Sequence, residues 1–362
     1  MWLAMAVVTL AGCLVIALLA EAGVRVRHWL KHGEMRGVED TFMLDPETGL
    51  RTPIPNSRIG RIEINALGFR GPEIAMPKPP GTLRIAFLGG STTYCAEVSG
   101  LEQSWPHLVW QAAQARWPAA RIDYVNAGVP GYTIGSLRRS LEKRVKPLQP
   151  DVIVIYEGTN DLSSNSFELA RAAGLVATRT EESLSWPSQY SLLWYLVEKN
   201  LMVWRRQVES QESAGKLEVD PAVLAAPFRT ELEALVRESQ AVAPMVVLVT
   251  FSQRLRPGQS EAERRAAAIT SSYYMPYMTS ERTLAGFEAY NAVIREVAAT
   301  YGALLVEGEE TIPSDAAHFT DSVHFTDLGS QAQAARVSQA LLASDRFAAL
   351  VSPLVAGSTA TD

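Results

Sequence analysis

Leu83-Arg84-Ile85-Ala86-Phe87-Leu88-Gly89-Gly90-Ser91 reads as a short apolar strand that stops at two glycines and delivers a serine. Two glycines let the backbone bend sharply and approach a ligand closely. A serine there can present its hydroxyl at the end of a strand, although helix caps also favour serine. Ser91 alone leaves both readings open.

Further strands lie downstream. Arg121 to Asn126 is one, and Asp151-Val152-Ile153-Val154-Ile155-Tyr156 is another, its continuous β-branched run predicting burial on both faces. Met245 to Thr250 and Ala303 to Val306 complete the set. Helical spacing falls between them: Leu137, Leu141, Val145 and Leu148; Leu232, Leu235 and Val236; Phe287, Tyr290, Ile294, Val297 and Tyr301. Strands alternating with helices predict an α/β fold, a parallel sheet covered on both faces. Ligands of such sheets bind beyond the C-terminal strand ends. Those ends carry Gly89-Gly90-Ser91, Asn126 to Thr133 and Glu157 to Asp161, so the glycine-rich and polar punctuation gathers on one edge.

Each motif has a bland alternative. Gly128 and Gly131, in the stretch after Asn126, offer unobstructed backbone N–H groups, or form a plain turn. Asn160, in Glu157-Gly158-Thr159-Asn160-Asp161, can donate an amide N–H to a developing oxyanion, or close an Asx turn. In Asp321-Ser322-Val323-His324 the carboxylate can hold one imidazole nitrogen and leave the other to accept a serine proton. Asp315-Ala316-Ala317-His318 repeats the pattern six residues upstream. The four residues together read as metal ligands, but that leaves a nucleophile and an oxyanion hole unexplained. An α/β-hydrolase elbow needs Gly-x-Ser-x-Gly, and Thr93 stands two after Ser91. Dinucleotide and P-loop glycine motifs are absent.

Taken in order, the strand-Gly-Ser, Asn-Gly, Gly-Thr-Asn-Asp and Asp-x-x-His blocks resemble the SGNH hydrolase superfamily, the GDSL-type esterases and lipases, across about residues 81–345. The resemblance implies a three-layer α/β/α domain with a central parallel sheet of flavodoxin-like order. It implies Ser91 as nucleophile, His324 as base and Asp321 as the acid that orients it. The oxyanion hole would comprise the Ser91 and Gly131 N–H groups and the Asn160 amide. His324-Phe325-Thr326-Asp327-Leu328-Gly329 fits the family's extension toward the last helix, which favours this pair over Asp315 and His318. One departure stands out: Gly90 replaces the usual Asp of the first block. A Gly-Gly-Ser-Thr-Thr variant, and a lead-in like Asn65-Ala66-Leu67-Gly68-Phe69-Arg70-Gly71, are familiar in membrane-anchored bacterial relatives.

The implied chemistry is acyl transfer through an acyl-enzyme, with no cofactor and no metal. The substrate would be a small-molecule, glycan or lipid-like ester. Water completes the cycle in an esterase, and a sugar hydroxyl completes it in an O-acyltransferase of envelope or exopolysaccharide. A non-catalytic polysaccharide-assembly protein on the same fold is the remaining alternative.

Composition agrees with an enzyme domain. At 362 residues with 47% hydrophobic and 20% charged residues, the chain is long enough for a sizeable core and too apolar for wholesale disorder. A net charge of −6 argues against a basic nucleic-acid partner. Cys13 and Cys95 alone give no disulfide framework and no cysteine-based zinc site.

Trp2 to Ala20 is apolar all round and, at ~1.5 Å per residue, about as long as a bilayer core is thick, which predicts a single transmembrane anchor. A signal peptide competes, but no Lys or Arg precedes the run and it is long for an h-region. Leu10-Ala11-Gly12-Cys13 resembles a lipoprotein cleavage box, yet the apolar run continues beyond it. Arg25, Arg27, Lys31 and Arg36 follow the run, which would hold the domain on the cytoplasmic side. The work of similar proteins on envelope polymers points to the other side, so sidedness stays open.

The expected layout is an anchor at 1–24, an irregular lead-in at 25–80, a hydrolase domain at 81–345 and a tail at 346–362, disordered from Val351. Two insertions, 162–228 and 253–283, carry aromatics such as Trp186, Tyr190, Trp194, Tyr195, Trp204, Tyr273 and Tyr274. They read either as a cap over the cleft or facing a membrane, or as aromatic packing among themselves.

Overall fold

The computed structural model describes residues 1–32, 41–176, 185–211 and 215–358. Helix α1 (Trp2–His32) opens the chain. Two short antiparallel hairpins follow, β1 (Phe42–Leu44) with β2 (Arg51–Pro53) and β3 (Arg58–Ile59) with β4 (Ile62–Glu63). Leu50, Phe69 and Ile74 from this lead-in are buried in the same core as the sheet.

Five parallel strands form that sheet: β5 (Thr82–Gly89), β6 (Arg121–Asn126), β7 (Val152–Tyr156), β8 (Met245–Val249) and β9 (Leu304–Val306). Their order is β6-β5-β7-β8-β9, so the chain enters inside the sheet, steps once to β6 and then reverses. The reversal creates a switch point at the C-terminal end of β5, where such sheets bind ligands. All residues of β5, β7 and β8 are buried, as helices on both faces require.

The helices are α2 (Ser91–Tyr94), α3 (Trp105–Arg116), α4 (Ile134–Ser140), α5 (Thr159–Ala172), α6 (Leu192–Gln211), α7 (Pro221–Gln240), α8 (Glu261–Ala267), α9 (Ile269–Tyr274), α10 (Ser280–Tyr301), α11 (Asp327–Leu342) and α12 (Asp345–Ser358). One layer is built from α3, α11 and α12, and the other from α4, α5, α7 and α10. The Leu137-Leu141-Val145-Leu148 pattern is carried by α4, a π-helical turn and a short 3₁₀ turn, all four residues buried.

The C-terminal expectation needs correction. The chain is helical from Asp345 to Ser358, and Phe347 and Val351 are fully buried. Phe347 meets Trp117, which caps α3 in the same layer, at 5.5 Å between ring centroids. The segment is held by apolar burial that its small and apolar composition concealed.

Charge locks the end of the sheet away from the glycines. Arg84, wholly buried on β5, donates from Nη2 to Asp123 Oδ2 at 2.7 Å and from Nε to Oδ1 at 2.8 Å. It also donates to the carbonyls of Leu148 and Ala75. Asp151 accepts the Arg84 N–H at 2.7 Å and pairs with Lys78. Removing one partner of a buried ion pair typically costs ~3–5 kcal/mol. Arg84→Leu should therefore lower unfolding free energy by about 3 kcal/mol in urea titration while leaving ester turnover near wild type at low temperature. A loss under ~0.5 kcal/mol would deny the pair this role.

Within α1, Met5–Leu30 is long and apolar enough to cross a membrane, and none of that span is buried inside the protein.

Candidate active site

Ser91 is the first residue of α2, a helix of one turn that begins where β5 ends. The turn is tied down from three sides. Cys95, in a left-handed conformation, donates its N–H to Ser91 O at 2.9 Å. Trp105 Nε1 donates to Thr92 O at 3.0 Å. Buried Arg70 reaches from the lead-in to donate to the carbonyls of Tyr94 and Cys95. Sequence reading missed Arg70, because only the fold brings it behind the serine.

Asp321 and His324 lie in the loop between β9 and α11. Asp321 Oδ1 accepts the N–H groups of Val323 and His324, both at 2.9 Å. Its Oδ2 is left for His324 Nδ1 at 2.7 Å, and His324 Nε2 stands 2.7 Å from Ser91 Oγ. Asp315 makes the same local turn, with Nδ1 of His318 at 2.8 Å, but no contact joins this pair to Ser91. Among the described residues, no group of three or more His, Cys, Asp and Glu is disposed to hold a metal ion.

Two further expected residues face the same cleft. Gly131 has φ of +84°, a conformation that L side chains rarely adopt, and it lines the cleft. Asn160, at the start of α5, points its Nδ2 at Tyr132 O, 2.9 Å away. Asp161 accepts the N–H of Ile134 with both carboxylate oxygens and so fixes the Gly131 turn to the Asn160 helix. The Ser91 and Gly131 N–H groups have no acceptor among the described residues. The cleft, of about 500 Å³, has a mixed lining: hydroxyl residues such as Thr133, Ser163, Ser164 and Thr270 stand among apolar surface from Ala96, Pro130, Tyr274, Met275 and Val323.

Gly90 has a steric explanation. Gly89 pairs in register with Tyr156, so Gly90 sits opposite Glu157. A β-carbon at position 90 would collide with Glu157 Oε2 and Asn160 Nδ2. Glu157 Oε1 meanwhile accepts the N–H groups of Gly158 and Asn160 at 3.0 and 3.1 Å. A carboxylate absent from the first block is thus supplied across the sheet by the end of β7. Burial pushes the Glu157 carboxyl up to about 7.

Ser322 also escaped sequence reading. Its Oγ accepts the N–H groups of Thr270 and Ser271 at the start of α9, at 3.0 and 3.1 Å. The Asp-x-x-His loop is thereby fastened to the cleft wall formed by the second insertion.

The electrostatics follow from this crowding. Burial alone would lower the His324 imidazole, but the Asp321 hydrogen bond and the charges of Glu97, Asp321 and Glu157 raise it to about 8. Burial likewise opposes ionisation of Asp321, yet the His324 hydrogen bond and charge and two backbone N–H groups hold its carboxyl below the usual range. Glu97 lines the cleft, and desolvation there pushes its carboxyl upward.

A family model described as the GDSL-like Lipase/Acylhydrolase family matches residues 87–332. No curated protein matches the chain. Among solved structures, an acetylxylan esterase from Geobacillus stearothermophilus is similar at 18% identity, covering 72% of this chain and 92% of that one, with a TM-score of 0.41. A lipase/acylhydrolase from Enterococcus faecalis is similar at 18% identity, over 71% and 94% of the two chains, with a TM-score of 0.41. An alpha/beta hydrolase enzyme from the metagenome of Lake Arreo, Spain, is similar at 18% identity, over 72% and 94%, also with a TM-score of 0.41.

Proposed function

The chain belongs to the GDSL-like lipase/acylhydrolase family and is a carboxylic ester hydrolase; on that premise we propose that it works through an acyl-enzyme on Ser91. The observation that carries this reading is the unbroken chain from Ser91 Oγ to His324 Nε2 and from His324 Nδ1 to Asp321, each link 2.7 Å. Ser91 Oγ attacks the ester carbonyl carbon as His324 Nε2 takes the hydroxyl proton. Asp321 holds the imidazole tautomer and stabilises the imidazolium. The developing oxyanion is met by the Ser91 and Gly131 N–H groups and by Asn160 Nδ2, which turns from Tyr132 O. The tetrahedral adduct then collapses, the alcohol leaves with the proton from His324, and an ester links the acyl group to Ser91. Water, deprotonated by His324, attacks that ester and releases the acid, returning Ser91 and the proton to their starting state.

We assign the substrate to small polar esters, with an acylated carbohydrate favoured by the hydroxyls of Thr133, Ser163, Ser164 and Thr270 that stand in the cleft beside its apolar wall. A sugar hydroxyl held by the same lining could take the acyl group in place of water, which is the O-acyltransferase reading. Acetyl, short-chain and long-chain p-nitrophenyl esters, compared with acetylated glycans, test the assignment. Preference for the long-chain ester would overturn it. Acyl transfer to an added sugar faster than hydrolysis would select the transferase.

Two outcomes follow from the site. The base must be neutral, so kcat/KM should rise with pH and level off above about 8, the value to which His324 is raised. Glu97→Gln removes a negative charge that favours imidazolium, so this acid limb should move to lower pH. A limb unmoved by Glu97→Gln would contradict the electrostatic account. Gly90→Asp should lower kcat by on the order of 10²–10³, because the new side chain displaces the Asn160 amide, and one such donor is typically worth ~3 kcal/mol. Activity within a factor of a few of wild type would deny Asn160 this role.

We also read α1 as a retained membrane anchor. Support comes from Glu21, which accepts hydrogen bonds from Ser191, Leu192 and Leu193 of the first insertion. A cleaved leader would leave those donors without their acceptor. The full-length protein should resist carbonate extraction and need detergent; release by carbonate would overturn the anchor.

A further inference from the structure

Helix α6 carries an apolar stripe that no other described residue covers, although Trp194 Nε1 donates to Ser185 Oγ at 2.8 Å. Trp194, Val197, Leu201 and Trp204 recur at spacings of three and four, so they share one face, and each is 42–59% exposed. Trp186 and Tyr190 in the preceding turn are more exposed still, and their rings meet at 5.3 Å. Lys199, exposed between Val197 and Leu201 in sequence, lies off the stripe and over the Tyr195 ring. Water does not reward such a surface, and a contiguous apolar patch of this kind marks an interaction site.

Its position says what covers it. Glu21 is the first residue after the apolar run of α1, where a bilayer core would end. Glu21 Oε2 accepts from Ser191 Oγ at 2.9 Å and Leu193 N at 2.8 Å, and Oε1 accepts from Leu192 N at 3.0 Å. Arg25 Nη2, one turn further, donates to Tyr190 O at 2.9 Å. These bonds clip the N-terminus of α6 to α1 just past its uncharged run, Trp2 to Ala20. Trp and Tyr favour the headgroup level, where an apolar ring and a polar edge are both satisfied. Arg27, exposed just beyond the clip, suits anionic phosphates.

We propose that the exposed face of α6, with Trp186 and Tyr190, is a lipid-binding surface that lies in the headgroup region of the bilayer that α1 spans. The proposal rests on reading α1 as an anchor. It has a consequence for the cleft. Helix α6 packs against α9, which contributes Thr270 and Tyr274 to the cleft and is fastened to the Asp-x-x-His loop by Ser322. Seated in this way, the enzyme meets esters presented at the membrane surface.

Spin labelling of the full-length chain tests this. Cys13→Ala removes the exposed thiol, and Cys95 is buried. Single nitroxides are placed by Val197→Cys, Leu201→Cys, Lys199→Cys and Val15→Cys, and the protein is reconstituted in phosphatidylcholine–phosphatidylglycerol vesicles. Labels at 197 and 201 should collide more with oxygen than with an aqueous nickel complex, several-fold above the ratio at 199. The label at 15 should report the acyl core. Labels at 197 and 201 as aqueous as that at 199 would overturn the proposal, and an aqueous label at 15 would overturn the anchor as well. Exclusion of both reagents at 197 and 201 would mean a protein partner or second copy, and would also overturn it.

Discussion

Alanine at position 91 lowers kcat for ester hydrolysis by on the order of 10⁵–10⁶, with little change in KM. The substitution removes one oxygen, and that oxygen's partner is His324 Nε2 at 2.7 Å. It leaves the backbone N–H in place, so part of the oxyanion hole survives and a residual acceleration over water remains. It also leaves the fold alone. The α2 turn is held by Cys95, Trp105 and Arg70 rather than by the hydroxyl. The thermal midpoint should therefore stay within a few degrees of wild type while turnover disappears, a separation that misfolding cannot mimic. Steady-state kinetics on p-nitrophenyl acetate and a thermal melt on the same preparation make the comparison. Retention of a tenth of the activity would remove Ser91 from the reaction.

His324→Ala should cost as much as Ser91→Ala, on the order of 10⁵–10⁶ in kcat, because the two act as one unit. His318→Ala should stay within a factor of a few. The contrast is sharp because the two Asp-x-x-His segments are local copies. In each, the Asp Oδ1 accepts two backbone N–H groups and the carboxylate meets Nδ1 of its own histidine. Only the second copy has a nitrogen on the serine. Asp321→Asn should cost ~10⁴ by favouring the wrong tautomer. The reverse ranking of the two histidines would move the base to His318.

The sheet was legible because short apolar runs alternate with helical spacing, most plainly at the β-branched run of β7, and all five strands lie within a residue or two of where the pattern puts them. The edge on which the motifs gather was legible for the same reason. Spacing alone could not separate the two Asp-x-x-His copies, since their local turns are alike; the resemblance favoured the second through the run from His324 to Gly329, and the second is the one that stands beside Ser91. Nor could it reveal Glu157, whose meeting with Gly90 depends on the register of β5 against β7. The C-terminal helix had a signal that went unused: Phe347, Leu350, Val351 and Leu354 recur at helical spacing. Small residues and a proline in the same stretch masked it. The aromatics of the insertions divide. Tyr277 is core, flanked by the buried Met275 and Met278, whereas Trp186, Trp194 and Trp204 face outward.

The central claim is a covalent acyl group on Ser91, and rapid acid quenching of the reaction with p-nitrophenyl acetate tests it most directly. Mass spectrometry of the quenched, digested protein should find one acetyl group on the peptide that carries Ser91, and none on that peptide from the Ser91→Ala protein. An acetyl group on another residue that turns over at the catalytic rate, or turnover with Ser91 never acylated, would contradict the account.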